Sequence, residues 1–187
     1  MYKLVIPLLW ASWCLLWLIL AHGAKKTRWQ EGLGSQLSYG LPFGLALWSL
    51  LLTAPPDQFW FRPFLPWSPV LYWAGAALMV IGFALTVWAR LTLGGNWSAT
   101  VTVKENHELI TTGPYRAVRH PIYSGLLLAF IGTALPREDL RAAMAVLVFL
   151  LAILRKAGIE EGRMIDTFGD QYRAYRRRTK SVIPFIL

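Results

Sequence analysis

Apolar residues along this 187-residue chain fall in long runs instead of the half-apolar stripes of a soluble amphipathic helix. A helix that crosses a hydrocarbon core about 30 Å thick needs roughly 20 mostly apolar residues, because lipid cannot hydrogen-bond an exposed backbone. Residues 2–21 and 70–91 meet that length, and residues 37–53 fall slightly short of it before Pro55 and Pro56 stop the run. Two briefer runs, 122–134 and 140–154, are separated only by Pro136, Arg137, Glu138 and Asp139, a spacing that suits a tight helical hairpin. Each reaches spanning length if its helix extends toward the 92–121 loop or the C-terminal tail. The pattern predicts an all-α integral membrane protein of about five transmembrane helices in one membrane domain, residues 1–187, with three spans in 1–89 and two spans plus a tail in 90–187. A secretory signal peptide is the alternative for the first run, but the run is too long and no small-residue cleavage pattern precedes Lys25, Lys26 and Arg28.

The polar positions set an orientation. Cytoplasmic loops are enriched in Lys and Arg. With the N-terminus outside, 15 of the 19 basic residues fall on the inner side, leaving Lys3, Arg62, Arg137 and Arg141 outside. The C-terminus is then cytoplasmic, and Trp29 and Trp97 lie at the inner interface opposite Trp60, Trp67 and Trp73 at the outer one. The formal charge of +9 by itself invites a nucleic-acid reading. Ten tryptophans, a mean hydropathy of +0.43 and only 16% charged residues oppose it, and the sidedness of the basic residues accounts for most of the excess. The single cysteine, Cys14, lies within an apolar run and the three histidines are scattered, which excludes a disulfide framework or a CxxC pair and points to no bound metal. Gly40 and Gly44 form a G-x-x-x-G, which either lets another helix approach closely or serves only local packing.

Chemically useful side chains gather in two segments on the inner side, the loop from Arg90 to Tyr123 and the tail from Arg155 to Lys180. The loop carries a glycine pair, a turn at Gly113-Pro114 and His120 before Pro121, features that let backbone approach a ligand. Equally, it reads as a basic surface loop whose Arg116 and Arg119 bind lipid phosphate. In the tail, Gly158 weakens the helix leaving the last span, and Ile165, Phe168, Tyr172 and Tyr175 recur as a helical stripe interrupted at Gly169, with Asp170 capping a second short helix. The stripe suits short amphipathic helices lying on the bundle or in the headgroups. Glu160 and Glu161 stand just past the end of a span, where a carboxylate pair is costly. Ordinary helix pairs of Glu160 with Lys156 and Arg163 are the plainer account, and the two carboxylates point about 100° apart.

Three blocks in order, His107-Glu-Leu-Ile-Thr-Thr-Gly113-Pro-Tyr115-Arg116, Arg119-His120-Pro121-Ile-Tyr123-Ser-Gly125, and Glu160-Glu161 followed by Phe168-Gly169-Asp-Gln-Tyr172-Arg-Ala-Tyr175, resemble the isoprenylcysteine carboxyl methyltransferase family and its phospholipid methyltransferase relatives. The resemblance covers the half from Arg90 onward. It implies an S-adenosyl-L-methionine-dependent membrane methyltransferase without a Rossmann domain, and no strand followed by G-x-G-x-x-G occurs here. It further implies a cofactor pocket at the cytoplasmic side made by His107, Leu109, Gly113, Tyr115, His120, Pro121 and Tyr123, completed by Glu160 or Glu161, with Arg155 near the substrate and Glu161 as the second catalytic residue. The lower span count and the short acidic block are similar to compact prokaryotic members, which implies a prokaryotic cytoplasmic membrane as location.

Methyl transfer from a sulfonium is an in-line displacement, so alignment of nucleophile and methyl group supplies most of the catalysis. A carboxylate acceptor needs only an orienting cation such as Arg155, whereas an amine acceptor needs a proton acceptor, for which Glu161 or His120 is available. The favoured substrate is a lipid or lipid-modified small molecule that presents a carboxylate or thiol-bearing headgroup and enters laterally between helices from the membrane, carboxyl O-methylation being favoured. The alternatives are a lipid amine N-methyltransferase, a sterol-reductase-like enzyme binding NADPH, and a non-catalytic scaffold whose basic face holds anionic membrane lipids.

Overall fold

A computed structural model describes residues 4–21, 25–52, 59–64 and 66–186. The chain is mostly helical. Six α-helices, α1 (Val5–Leu20), α2 (Leu33–Leu51), α3 (Pro69–Leu93), α4 (Pro121–Ala134), α5 (Leu140–Phe168) and α6 (Asp170–Arg178), are joined by loops that also carry a two-stranded antiparallel ribbon, β1 (Thr27–Gln30) with β2 (Thr102–Lys104). Among the described residues, two helices are long and apolar enough to cross a membrane, Pro69–Asn96 and Leu140–Phe168, while Val5–Leu20 and Pro121–Ala134 are shorter apolar helices. Leu15, Leu41, Trp48, Ile81, Trp88 and Leu151 are exposed around the bundle, an apolar girdle that water would not tolerate over such an area. Tyr2 and Lys3, and the stop at Pro55 and Pro56, lie outside the described residues.

Local chemistry sets the ends of the two long helices. Ser68 precedes Pro69 and accepts the Leu71 N–H at 3.5 Å to start α3, and Asp139 accepts the Ala142 N–H at 2.7 Å to start α5. The short connection from Ala134 to Leu140 is the expected hairpin. Gly158 does not end α5, which runs on to Phe168 and stops at Gly169, where φ is +54° and a side chain would be strained. Asp170 is the first residue of α6, with no capping bond, and pairs with Arg173 at 2.9 Å instead.

The tightest packing joins α3 to α4. Gly75 lies against the backbone of Gly132, and Gly82 against that of Gly125, so two glycine pairs seven residues apart on each helix let the backbones meet. The close approach is therefore not at Gly40 and Gly44, where an added Cβ would meet nothing within 4 Å. α1 is fastened across this pair by its indoles: Trp10 donates to Thr133 Oγ1 at 3.0 Å and Trp13 to Thr86 Oγ1 at 2.8 Å. Phe43, Phe130 and Phe149 carry the core on toward α2 and α5, the last two rings stacking at 3.8 Å.

The ribbon corrects the all-α expectation. Its strands are only four and three residues long, with a register irregularity between Thr27 and Trp29, too short for alternation to be visible in the sequence. It fastens the 94–107 loop to the N-terminal half. Lys25 N–H donates to Gly95 O at 2.9 Å, Glu31 N–H to Val101 O at 3.1 Å, and the Glu31 carboxylate accepts the Val101 N–H at 2.9 Å.

Replacing Gly125 by valine forces a Cβ against the Gly82 carbonyl and Thr86 Cγ2. An overpacked contact of this kind costs about 1–3 kcal/mol, roughly 2–4 °C of thermal midpoint per kcal/mol in detergent. Gly44→Ala, in open space, leaves the midpoint unchanged or raises it; equal losses for the two variants would contradict the glycine contact.

Candidate active site

A cavity of about 370 Å³ opens at the end of the bundle where the 94–120 loop, α5 and α6 converge. Its polar end is built by Asn96, His107, Tyr115, His120, Lys156 and Glu160, and its apolar end by Trp13, Phe43, Leu126 and Ile153, which run in among α1, α2, α4 and α5.

His120 organises the polar end. It occupies the position before α4, yet its ring does not cap the helix. Instead Nδ1 faces Glu160 Oε2 at 3.3 Å and Nε2 faces Glu161 Oε1 at 3.3 Å. Carboxylates only accept, so the doubly protonated imidazole, donating from each nitrogen, satisfies both. Outward from His120 the charges continue to alternate. Lys156 Nζ lies 4.0 Å from Glu160, while Arg119 (2.8 Å) and Arg176 (3.1 Å) pair with Glu161. Tyr123 donates to Glu160 at 2.6 Å and stacks on the His120 ring at 5.3 Å.

Burial opposes charge on His120, but the flanking carboxylates outweigh it and hold the imidazole above its ordinary range. Burial also works against an ionised Glu161, yet the bonds from His120 and Arg119 draw its carboxyl down to about 2. Glu160 is lowered as well, burial being overcome by His120 and Lys156. His107 behaves oppositely: burial, then Lys25 and Lys104, push it down, and the Lys104 N–H donates to Nδ1 at 3.3 Å, which leaves Nε2 as the ring's donor.

The C-terminal segment locks this arrangement from behind. Arg119 N–H donates to Lys180 O at 2.8 Å and His120 N–H to Ser181 O at 2.9 Å, and Tyr175 donates to Tyr115 O at 2.6 Å. Buried Tyr172 and Tyr175 close the cavity wall, so the Tyr pair of the tail stripe packs on the site.

The residues expected from sequence divide accordingly. His107, Leu109, Tyr115, His120, Tyr123 and Glu160 line the cavity. Glu161 stands behind His120, outside the lining; Pro121 is the buried first residue of α4; Gly113, at φ +56°, packs on Thr92 and Trp88 beside the cavity. Arg155 is turned away, exposed and donating to Ser38 Oγ at 2.7 Å. The α5 cation that lines the cavity is its neighbour Lys156, one turn before Glu160 on the same helix face; Arg119 lines it as well. Lys156 donates to Ala99 O at 2.6 Å and sits over the Tyr39 and Tyr123 rings at 5.0 and 5.5 Å. Trp13, Trp17, Tyr39 and Phe43 were not anticipated as site residues; the i, i+4 spacing of each pair was the available signal.

Aromatic faces around Glu160, with a second carboxylate, Glu108, in the lining, suit a cationic ligand of nucleoside dimensions in a cavity of this size. The phospholipid methyltransferase family profile matches residues 70–171, more than half the chain and both helices that hold the His120 cluster. The chain belongs to the phospholipid methyltransferase family. Family relatives include protein-S-isoprenylcysteine O-methyltransferase B of Arabidopsis thaliana, 30% identical over 60% of this chain and 58% of the relative. A cobalt-zinc-cadmium resistance protein of Cupriavidus metallidurans is 32% identical over 60% of this chain and 51% of its own length. The solved eukaryotic intramembrane Ras methyltransferase, an isoprenylcysteine carboxyl methyltransferase, superposes with a TM-score of 0.58 at 26% identity, covering 82% of this chain and 52% of that one. The chain thus spans a little under three fifths of the first of these relatives.

The cluster predicts a pH window. Because His120 is raised on folding, its contribution is complete below the ordinary histidine value of about 6.5 and is lost as pH rises through the raised one. Because Glu161 is depressed, its contribution is complete above the ordinary carboxylate value and lost as pH falls toward about 2. The thermal midpoint of the wild type should therefore decline on the alkaline side, and that decline should be absent from His120→Gln; parallel profiles would refute the assignment.

Proposed function

We propose that this chain is an integral membrane methyltransferase that uses S-adenosyl-L-methionine to methylate a lipid-associated acceptor, carboxyl O-methylation being favoured. The observation that carries the reading is the two-ended cavity, polar and charged at Glu160 and Lys156, apolar at Phe43 and Ile153. In this reading the bundle has about five spans, with the N-terminus outside and the cavity at the cytoplasmic side, where most Lys and Arg fall.

The residues present fit the cofactor. Glu160 would face its positive charge, the rings of Tyr115 and Tyr123 would lie against it, and His107 Nε2–H would donate to its polar edge. When bound, the cofactor supplies an electrophilic methyl group. The chain's task is alignment, worth up to about 7–11 kcal/mol in well-oriented systems. Lys156, held by Ala99 O and Glu160, is the cation placed to orient an acceptor carboxylate, and the apolar end takes the attached chain and excludes water.

The protonation states favour a carboxylate over an amine acceptor. An amine must lose a proton on methylation. His120 already carries one on each nitrogen in this cluster, and Glu161, held at about 2 against Arg119, is a poor acceptor. A carboxylate needs no base.

Calorimetric titration of the full chain in detergent with S-adenosylhomocysteine should give micromolar-range binding, weakened at least tenfold, about 1.4 kcal/mol, by His107→Ala or Glu160→Gln. With labelled cofactor, methyl transfer to a prenylcysteine-type carboxylate should yield a base-labile ester and fall sharply in Lys156→Ala, while Arg155→Ala retains most activity. Heat with NADPH and none with S-adenosylhomocysteine would point to a reductase instead.

A further inference from the structure

The last turn of α6 presents Arg176, Arg177 and Arg178, followed by Lys180 and Ser181, and together with Arg119 they line a second cavity of about 380 Å³. Arg119 lines both cavities, so this pocket lies one side chain behind the His120 cluster. Among the described residues its positive charge is largely uncompensated. Glu161 takes Arg119 and Arg176, at 2.8 and 3.1 Å. Among the described residues, Arg177, Arg178 and Lys180 form no ion pair, although all three are exposed at the rim of one pocket. Like charges held this close repel, and an anion with several acceptor oxygens relieves that repulsion while accepting from each.

A second observation indicates where the anion comes from. The chain leaves the pocket through Phe185 and Ile186, which are 94% and 75% exposed, and Ile186 itself lines the pocket. Large apolar side chains placed next to a cluster of cations match the boundary between headgroups and acyl chains, not bulk water. The backbone is held rigidly enough to present them: Arg119 and His120 pair with Lys180 and Ser181, Ser124 Oγ donates to Val182 O at 2.5 Å, and Val182 is fully buried.

We propose that this basic pocket binds the phosphate headgroup of an anionic phospholipid, with Arg177, Arg178 and Lys180 on the phosphate and Phe185 and Ile186 among the acyl chains. Arg119 is the one lining residue this site shares with the proposed cofactor cavity, and the site does not depend on which acceptor is methylated. Each such basic residue contributes roughly fivefold to binding of an anionic surface.

Native mass spectrometry of the full chain in detergent, titrated with dioleoyl phosphatidylglycerol or dioleoyl phosphatidylcholine, tests it. The chain should retain phosphatidylglycerol over phosphatidylcholine. The triple variant Arg177→Gln, Arg178→Gln, Lys180→Gln should lose at least tenfold of that affinity with an unchanged thermal midpoint. The charge-preserving pair Arg177→Lys, Arg178→Lys should keep it, and Phe185→Ser should lose at least threefold. Equal retention of the two lipids, undiminished binding in the glutamine variant, or displacement of phosphatidylglycerol by millimolar inorganic phosphate overturns the proposal, the last by identifying a free-phosphate site. If the glutamine variant unfolds, the lysine pair decides: loss of the lipid preference there also overturns it.

Discussion

Three pieces of chain that are distant in sequence meet because a buried carboxylate, Glu161, and a partly buried one, Glu160, must be compensated. Glu160 and Glu161 are adjacent on α5 and cannot point the same way; His120 lies between them and reaches both with its two ring nitrogens, while Lys156 adds to Glu160 and Arg119 and Arg176 to Glu161. Removing His120 takes a partner from both carboxylates at once and leaves Glu160 with only Lys156, 4.0 Å away, as its cation, which is costly in a poorly solvated place. The clamp fixes the start of α4 against α5, and Arg119, next in sequence to His120, brings in the 179–181 segment by backbone bonds as well as by its side chain. The cavity wall is the inner face of that junction.

Everything else positions the junction. The glycine contacts between α3 and α4 remove side-chain bulk where two backbones must nearly touch, which sets the height at which α4 begins and hence where His120 stands. The indoles of α1 supply donors to Thr86 and Thr133, hydroxyls that would otherwise be buried with only their own helix carbonyls as partners. The ribbon and the buried Glu31 then tie the loop carrying Asn96 and His107 to the N-terminal half.

How much of this was legible in the sequence depends on the range of each interaction. The helical hairpin and the long apolar runs follow from local spacing, the grouping of His107, Tyr115, His120 and Tyr123 with Glu160 or Glu161 is what the family resemblance implies, and the structure brings those four and Glu160 to one cavity. Arg155 was the natural cation from its place before the acidic pair, but a single residue on a helix is a turn of about 100°, and Lys156 faces the cavity instead. The N-terminal contribution was hidden because Trp13, Tyr39 and Phe43 reach the site only by tertiary packing, and a short ribbon leaves almost no pattern. Gly40 and Gly44 had the G-x-x-x-G spacing, yet the glycines at a close helix contact are Gly75, Gly82, Gly125 and Gly132, whose pairing is visible only once α3 and α4 are side by side.

The unbroken course of α5 has a mechanical consequence. From Leu140 to Glu160 the helix rises about 30 Å, with no proline or cap to absorb bending. The carboxylate pair is thus carried on the end of a stiff lever whose other end is anchored at the Asp139 hairpin. A tilt of 10° about that anchor sweeps Glu160 through about 5 Å, more than the whole length of its bond to Tyr123. A change in the lean of this helix would therefore be felt at the cavity as a change in the spacing of its charged groups.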